Sequence, residues 1–218
     1  MMKTSSNKMY GPVRLTMLVL LLVCLLGACV KLERPTLDRK YFTLDAVRPA
    51  AVEKKVLIDK NLIVRRVKIS PRYEDRDLVY KIGANVFESD YYNAFFVPPS
   101  AMITQELRVW MGDSGVFANV LGPESMGTGD YLLEGLVNSI YGDYSTPDHK
   151  AVLKMQFILI NNGDPDLPIL YSQDFSREIN IKGAGPEALV QAFNKGLESI
   201  FVELEKGLAE VVQQKKAE

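Results

Sequence analysis

Cysteine is so scarce in this chain that disulfides can be set aside. The 218 residues contain two, Cys24 inside an apolar run near the amino terminus and Cys29 at its end. If Cys24 leaves with that run and Cys29 is chemically modified, no crosslink is available and the fold rests on packing alone. Histidine is scarcer still: His149 stands alone, in a Pro147-Asp148-His149-Lys150 turn. No glycine-rich run ends in Gly-Lys-Ser or Gly-Lys-Thr, so a Walker A phosphate loop is missing, and an energised process served by this protein would need another subunit to hydrolyse the nucleotide. A surplus of positive charge is absent too. The formal net charge is −1, and no cluster of Lys and Arg offers the phosphate contacts that a nucleic acid requires.

What is present begins with a three-part amino terminus. Lys3, Lys8 and Arg14 precede an unbroken apolar run from Leu15 to Leu26, followed by the small residues Gly27 and Ala28 and then Cys29. As a helix, Leu15 to Ala28 would reach about 21 Å, short of the roughly 30 Å of a bilayer's hydrocarbon core. The segment therefore reads as an export signal and not as a membrane span. Leu26-Gly27-Ala28-Cys29 resembles the bacterial lipobox, which implies cleavage between Ala28 and Cys29 and acylation of Cys29. One acyl chain holds a protein only transiently, whereas two or more hold it durably. Val30, not being Asp, resembles the outer-membrane class in lipoprotein sorting. Without residues 1–28 the chain keeps 23 basic against 27 acidic residues, a mildly acidic balance of −4. Residues 29–38 read as a lipid-anchored tether, and 39–218 as one folded domain.

Within that domain the periodicities alternate. Tyr41 to Leu44, Leu62 to Ile69 and Leu78 to Ile82 read as strands, with a polar turn from Pro71 to Asp77 between the last two. Pro98 and Pro99 suit a helix start; Ile103, Leu107, Trp110 and Met111 then share one face, and Gly112 is expected to stop it. A glycine-rich connection follows, with room for a strand around Val116 to Leu121. Tyr131 to Tyr141, Ala151 to Ile160 and Ile169 to Ile181 read as an antiparallel meander, in which Ala151, Leu153, Met155, Phe157 and Leu159 face one side. From Pro186 onward Leu189, Phe193, Leu197, Ile200, Leu204, Leu208 and Val211 recur at spacings of three and four, an amphipathic helix able to cover that sheet. The expected fold is α+β, a largely antiparallel sheet covered by two helices in the order β-β-β-α-β-β-β-α.

Three motifs tempt a chemical reading. Gly112-Asp113-Ser114-Gly115 matches the surroundings of a serine-protease nucleophile, but that mechanism needs a histidine beside the serine, and a helix stop followed by a turn explains the same letters. Gly183-Ala184-Gly185 with Ala188 spells a dinucleotide fingerprint, yet the helix after it is not followed by the parallel strand of a nucleotide-binding unit. Asn161 to Asp166 lacks the terminal bidentate acid of a calcium loop and reads as a hairpin turn. The chain is accordingly expected to be no enzyme and to hold neither metal nor cofactor.

The unusual feature is Asp90-Tyr91-Tyr92-Asn93-Ala94-Phe95-Phe96. Four large aromatics within six positions cannot all face one side of a strand, so Tyr91, Tyr92, Phe95 and Phe96 are candidates for a contact surface toward a protein or a lipid. Their neighbourhood also carries a resemblance. Cys29, the Tyr41-Phe42-Thr43-Leu44 strand, the basic and valine-rich Leu62 to Ile69, Leu78-Val79-Tyr80, and Asp90-Tyr91-Tyr92 leading through Phe95 and Pro99 to a helix ending near Trp110 occur, before a long last helix, in an order similar to the ABC-type transport auxiliary lipoprotein family, which includes paraquat-inducible lipoprotein C. Phe96-Val97-Pro98-Pro99 stands where many members carry an Arg-Trp-Ala-Glu-Pro-Leu type sequence, the mark of a different subfamily.

The resemblance implies a non-enzymatic lipoprotein of the outer membrane, on its periplasmic face. It would dock a mammalian-cell-entry type substrate-binding protein, served by an ABC permease and its ATPase, so that lipids cross the envelope. A homo-oligomeric ring suits a domain that surrounds a conduit. The rival reading is a lipoprotein regulator of a cell-wall synthase, which would share the anchor and the α+β domain.

Overall fold

Strand and helix periods in the second half of the chain produce the most regular part of the molecule. The computed structural model describes residues 38–49 and 56–217; the export signal, the Ala28 to Cys29 junction and almost all of the tether lie outside the described residues. In chain order the strands are β1 (Lys40–Phe42), β2 (Ile58–Val64), β3 (Lys68–Ile69), β4 (Asp77–Lys81), β5 (Phe87–Phe95), β6 (Phe117–Leu121), β7 (Tyr131–Asp143), β8 (Lys150–Asn161) and β9 (Ile169–Asn180). Helix α1 (Pro99–Ser114) lies between β5 and β6, and α2 (Gly185–Ala217) follows β9.

β7, β8 and β9 form the expected antiparallel meander. Ala151, Leu153, Met155, Phe157 and Leu159 are all buried, together with Leu189, Phe193, Leu197, Ile200, Leu204 and Leu208 of α2. The stripe on α2 ends at the fully buried Val212 instead of the half-buried Val211, continuing the four-residue step from Leu204 and Leu208. On α1 the anticipated face of Ile103, Leu107, Trp110 and Met111 is buried as well, and the Trp110 ring meets Phe201 of α2 edge-on at 5.5 Å.

α1 does not stop at Gly112. It continues to Ser114 and ends at Gly115, whose φ of 73° is the left-handed conformation that closes a helix and that glycine adopts without a Cβ penalty. Pro98 and Pro99 sit at the start of this helix, as expected.

The sheet is mixed and not largely antiparallel. β2, β3 and β4 run parallel to β7 along one of its edges, meeting it in turn at Leu62↔Tyr131 to Val64↔Leu133, Lys68↔Leu136 to Ile69↔Val137, and Tyr80↔Gly142 to Lys81↔Asp143. β1 is parallel to β5, and β2 is parallel to β6. The physical reason is the crossover: two strands can run parallel only across a long connection, usually helical, and α1 lies between β2 and both of its parallel neighbours, β6 and β7. β7 is thus a spine, with β8 on one edge and three short strands in file on the other. Between β2 and β3 the backbone leaves the ladder, and the Val67 N–H donates instead to the Thr104 hydroxyl of α1 at 2.9 Å, which in turn donates to the Ser100 carbonyl. Beyond β7 the sheet divides, β2 carrying β6 while β4 carries β5 and then β1.

After β1 the chain forms an extended strap held by both helices. Leu44 is buried, the N–H groups of Asp45 and Val47 donate to Asn194 and Glu198 of α2, and that of Ala46 donates to Glu106 of α1. Arg48 closes the strap with two hydrogen bonds to the Glu205 carboxylate, 2.7 and 2.9 Å, which also accepts from the Trp110 indole at 2.8 Å. Glu106 is pushed above the usual carboxylate range by burial, against the lowering effect of the Ala46 N–H.

Candidate functional site

The aromatic cluster lies on the outer branch of the sheet, where β5 departs from regular pairing. Leu78 of β4 faces Asp90, but its neighbour Asp77 faces Ala94, so Tyr91, Tyr92 and Asn93 are extra residues with no counterpart on β4. A bulge of this kind turns side chains away from the alternation of the strand. Asp90 pins it: one carboxylate oxygen accepts the N–H groups of Tyr92 and Asn93 at 2.9 and 3.0 Å, and the other accepts the Asn93 side-chain amide and the Tyr80 hydroxyl, each at 2.9 Å. Burial pushes the Asp90 carboxyl up, but the donors from Asn93, Tyr80 and the backbone outweigh it and hold it below the usual carboxylate range. The Tyr80 phenol moves up through burial and through its bond to this carboxylate.

The four candidate aromatics separate into two roles. Tyr91, Tyr92 and Phe96 are 64, 50 and 61 % exposed, whereas Phe95 is 3 % exposed. Phe95 packs toward Phe193 of α2, with ring centroids 6.4 Å apart, and belongs to the core and not to a contact surface. The reason is its place in the ladder: the parallel register sets Phe95 opposite Phe42, past the bulge, where β5 has resumed regular burial.

Tyr41 joins the exposed group, a residue that the sequence reading places in a strand without giving it a surface role. It is 48 % exposed and meets Phe96 edge-on at 6.2 Å, while Tyr91 and Tyr92 meet edge-on at 5.5 Å. Two arginines knit the rings together. The Arg39 guanidinium lies 5.6 Å from the Tyr91 ring centre and 5.9 Å from that of Tyr41, and is ion-paired with Asp77. Arg76 lies 5.9 Å from Tyr41 and donates to the Phe96 carbonyl. Such cation–ring contacts contribute roughly 0.5–1 kcal/mol each at exposed sites. The result is an ordered aromatic platform of four rings and two guanidinium groups. Its sequence signal is a short carboxylate followed by two aromatics and an amide, the composition of a pinned bulge.

The other motifs resolve into local structure. The Ser114 hydroxyl donates to the Met111 carbonyl at 2.7 Å and accepts the Val116 N–H at 3.1 Å, so it serves the end of α1. His149 packs against Tyr144 with its ring tilted 42° to it, centres 4.4 Å apart, in the turn between β7 and β8. Gly183 and Gly185 adopt φ of 119° and 83° on the approach to α2, and the strand before them pairs antiparallel with β8. In the turn after β8, the Asn161 side chain accepts the Gly163 N–H and the Asp164 carboxylate accepts the Asp166 N–H, the bonds of a hairpin connection. Among the described residues no group of three or more His, Cys, Asp or Glu side chains is placed to hold a metal ion. Among the same residues no helix is long and apolar enough to cross a membrane. Ala28 and Cys29 lie outside the described residues.

Comparison with known proteins gives this geometry a context. A family model described as the ABC-type transport auxiliary lipoprotein component matches residues 42–204. Among solved structures, a Xanthomonas campestris protein of the DUF330 family superposes with a TM-score of 0.71 at 16 % identity, covering 82 % of this chain and 100 % of that one. A second, described only as an uncharacterized protein, superposes with a TM-score of 0.63 at 14 % identity, covering 78 % of this chain and 97 % of that one. At such identities the likeness is one of fold. No curated protein matches the sequence significantly.

Proposed function

The chain belongs to the family of ABC-type transport auxiliary lipoprotein components, and on that premise we propose that it is a lipid-anchored docking module. In this reading the signal is cut between Ala28 and Cys29, and acyl groups on Cys29 hold the domain at the periplasmic face of the outer membrane. The domain docks a mammalian-cell-entry type substrate-binding protein there, while an ABC permease and its ATPase supply the energy. The family match carries the reading, because residues 42–204 take in the strap, α1, the divided sheet and most of α2.

The anchor and the domain have separate physical tasks. Two or more acyl chains give durable attachment at about 0.8 kcal/mol per buried methylene. The domain supplies a fixed shape. α2, about 50 Å long at ~1.5 Å per residue, is packed along the meander and clasped by the strap, so a load applied at one end is transmitted through packed side chains. The docking role in this reading asks no bond-making of the domain, and the engagement of the Ser114 hydroxyl in the end of α1 is in keeping with that.

The test is co-purification of the intact lipoprotein from membranes in which the whole transporter is expressed. Retention of the mammalian-cell-entry protein through detergent extraction is the expected result. Repeated recovery of the lipoprotein without it would refute the docking role.

A further inference from the structure

The described residues begin at the aromatic platform. Asp38 is the first described residue, and the next, Arg39, lies against the rings of Tyr91 and Tyr41. Asp38 is nine residue steps from Cys29, a reach of about 30 Å when fully extended. With acyl groups on Cys29, the platform is leashed within that distance of the headgroup layer, and of the surfaces the domain can meet, the bilayer is the one always within range.

The platform has the composition that an interface of headgroups accepts. Tyr41, Tyr91 and Tyr92 combine an apolar ring with a polar tip, as residues enriched at membrane–water boundaries do, and Phe96 adds a fully apolar ring. Arg76 is exposed and has no carboxylate partner among the described ion pairs, which leaves its guanidinium able to meet a phosphate. The two carboxylates within the platform are already engaged: Asp77 pairs with Arg39, and Asp90 is turned inward on four donors. Asp38, exposed before Arg39, and Glu74 and Asp75, exposed on the turn before Arg76, bring negative charge to its rim. Ring insertion, and not net charge, therefore drives the contact.

The geometry points to the platform of Tyr41, Tyr91, Tyr92 and Phe96 lying against the phospholipid headgroup layer that holds the anchor, so that acyl chains and rings together fix the orientation of the domain. This rests on the anchored reading given above. Acyl chains alone fix position but leave rotation free, and a second, nearby contact removes that freedom at little entropic cost because the first has already confined the domain.

A site-specific probe separates the alternatives. Acylated Cys29 has no free thiol, so a single introduced cysteine takes a fluorescent maleimide uniquely. Val97→Cys places the probe beside Phe96, and Met126→Cys places it at a 99 % exposed position in the connection that enters β7 at Tyr131, the opposite end from the Asp143 that pairs with β4. The full-length acylated protein is bound to vesicles of phosphatidylethanolamine and phosphatidylglycerol, and iodide quenching is measured on the material that floats with them. Quenching several-fold weaker at position 97 than at 126 is the expected result. Replacing Tyr91, Tyr92 and Phe96 together by Ser should bring position 97 up to the level of 126, with flotation unchanged and cooperative unfolding retained at a somewhat lower midpoint. Equal quenching at the two positions in floated protein overturns the inference and leaves the anchored reading standing. Shielding that appears only when the mammalian-cell-entry partner is added assigns the platform to a protein and also overturns it. Failure of the protein to float removes the anchored reading and this inference together.

Discussion

Across the β7–β8–β9 meander nearly every residue has a partner on the neighbouring strand, with single slips at Asn138 and Leu170, whereas on the β1–β4–β5 branch three consecutive residues of β5 stand outside the β4 ladder. In the meander the apolar residues of β8, Ala151, Leu153, Met155, Phe157 and Leu159, are buried in the core with α2. On the branch Tyr41, Tyr91, Tyr92 and Phe96 point outward and are held there by hydrogen bonds and ring contacts. One region uses its aromatics for stability; the other displays them at the expense of some burial, a pattern expected of a surface that meets a partner.

If that contrast is right, substitutions in the two regions should differ sharply. Phe157→Ala in β8 removes a fully buried ring that meets Phe175 and Phe201 at 5.9 and 6.5 Å. It should lower stability by about 3–5 kcal/mol, read as a drop in denaturant midpoint at unchanged slope. Asp90→Ala withdraws the acceptor for four donors in the bulge and should cost about 2 kcal/mol. Hydrogen exchange should quicken first at the Tyr92 and Asn93 amides, while the meander amides keep their protection.

Glu205→Gln tests the strap. The Arg48 pair is half-buried and bidentate, so its loss should cost about 1–2 kcal/mol, with exchange accelerated at Ala46 and Val47. Acid separates the bulge from the rest by a gentler route. The folded Asp90 carboxyl titrates below its ordinary value, so its contribution is complete above about pH 4 and fades as the pH falls through and below that range. An Asp90→Asn variant should accordingly lose less stability than the wild type on acidification, measured by urea unfolding at a series of pH values. The smallest effect belongs to Tyr91→Ser, which removes the exposed ring under Arg39 and should cost about 0.5–1 kcal/mol while altering any contact made by the platform. A large loss there would place Tyr91 in the fold and blur the contrast between the regions.

The two regions also differ in how far the sequence reveals them. The buried positions of β8, α1 and α2 are legible because a strand repeats every two residues and a helix every 3.6, and apolar side chains mark the repeat. Strand direction carries no such mark: β2, β3 and β4 look alike whether they pair parallel or antiparallel to β7, and only the placement of α1 decides. The strap has no period of its own. Its trace lies on α2, where Glu187, Asn194, Glu198 and Glu205 recur at spacings of seven, four and seven, a polar stripe within about 20° of one line along the helix. Each of the four receives a hydrogen bond from the segment between Lys40 and Arg48. At the platform, the crowding of aromatics is evident from composition, but assigning Phe95 to the core and Tyr41 to the surface requires the register of β1 on β5.

The anchored reading stands on the chemistry of one residue, and the mass of the amino-terminal peptide from protein purified out of membranes tests it directly. The reading predicts a chain that begins at Cys29 and carries two or more acyl groups. A free thiol on Cys29, or a peptide still continuous with Ala28, would contradict it.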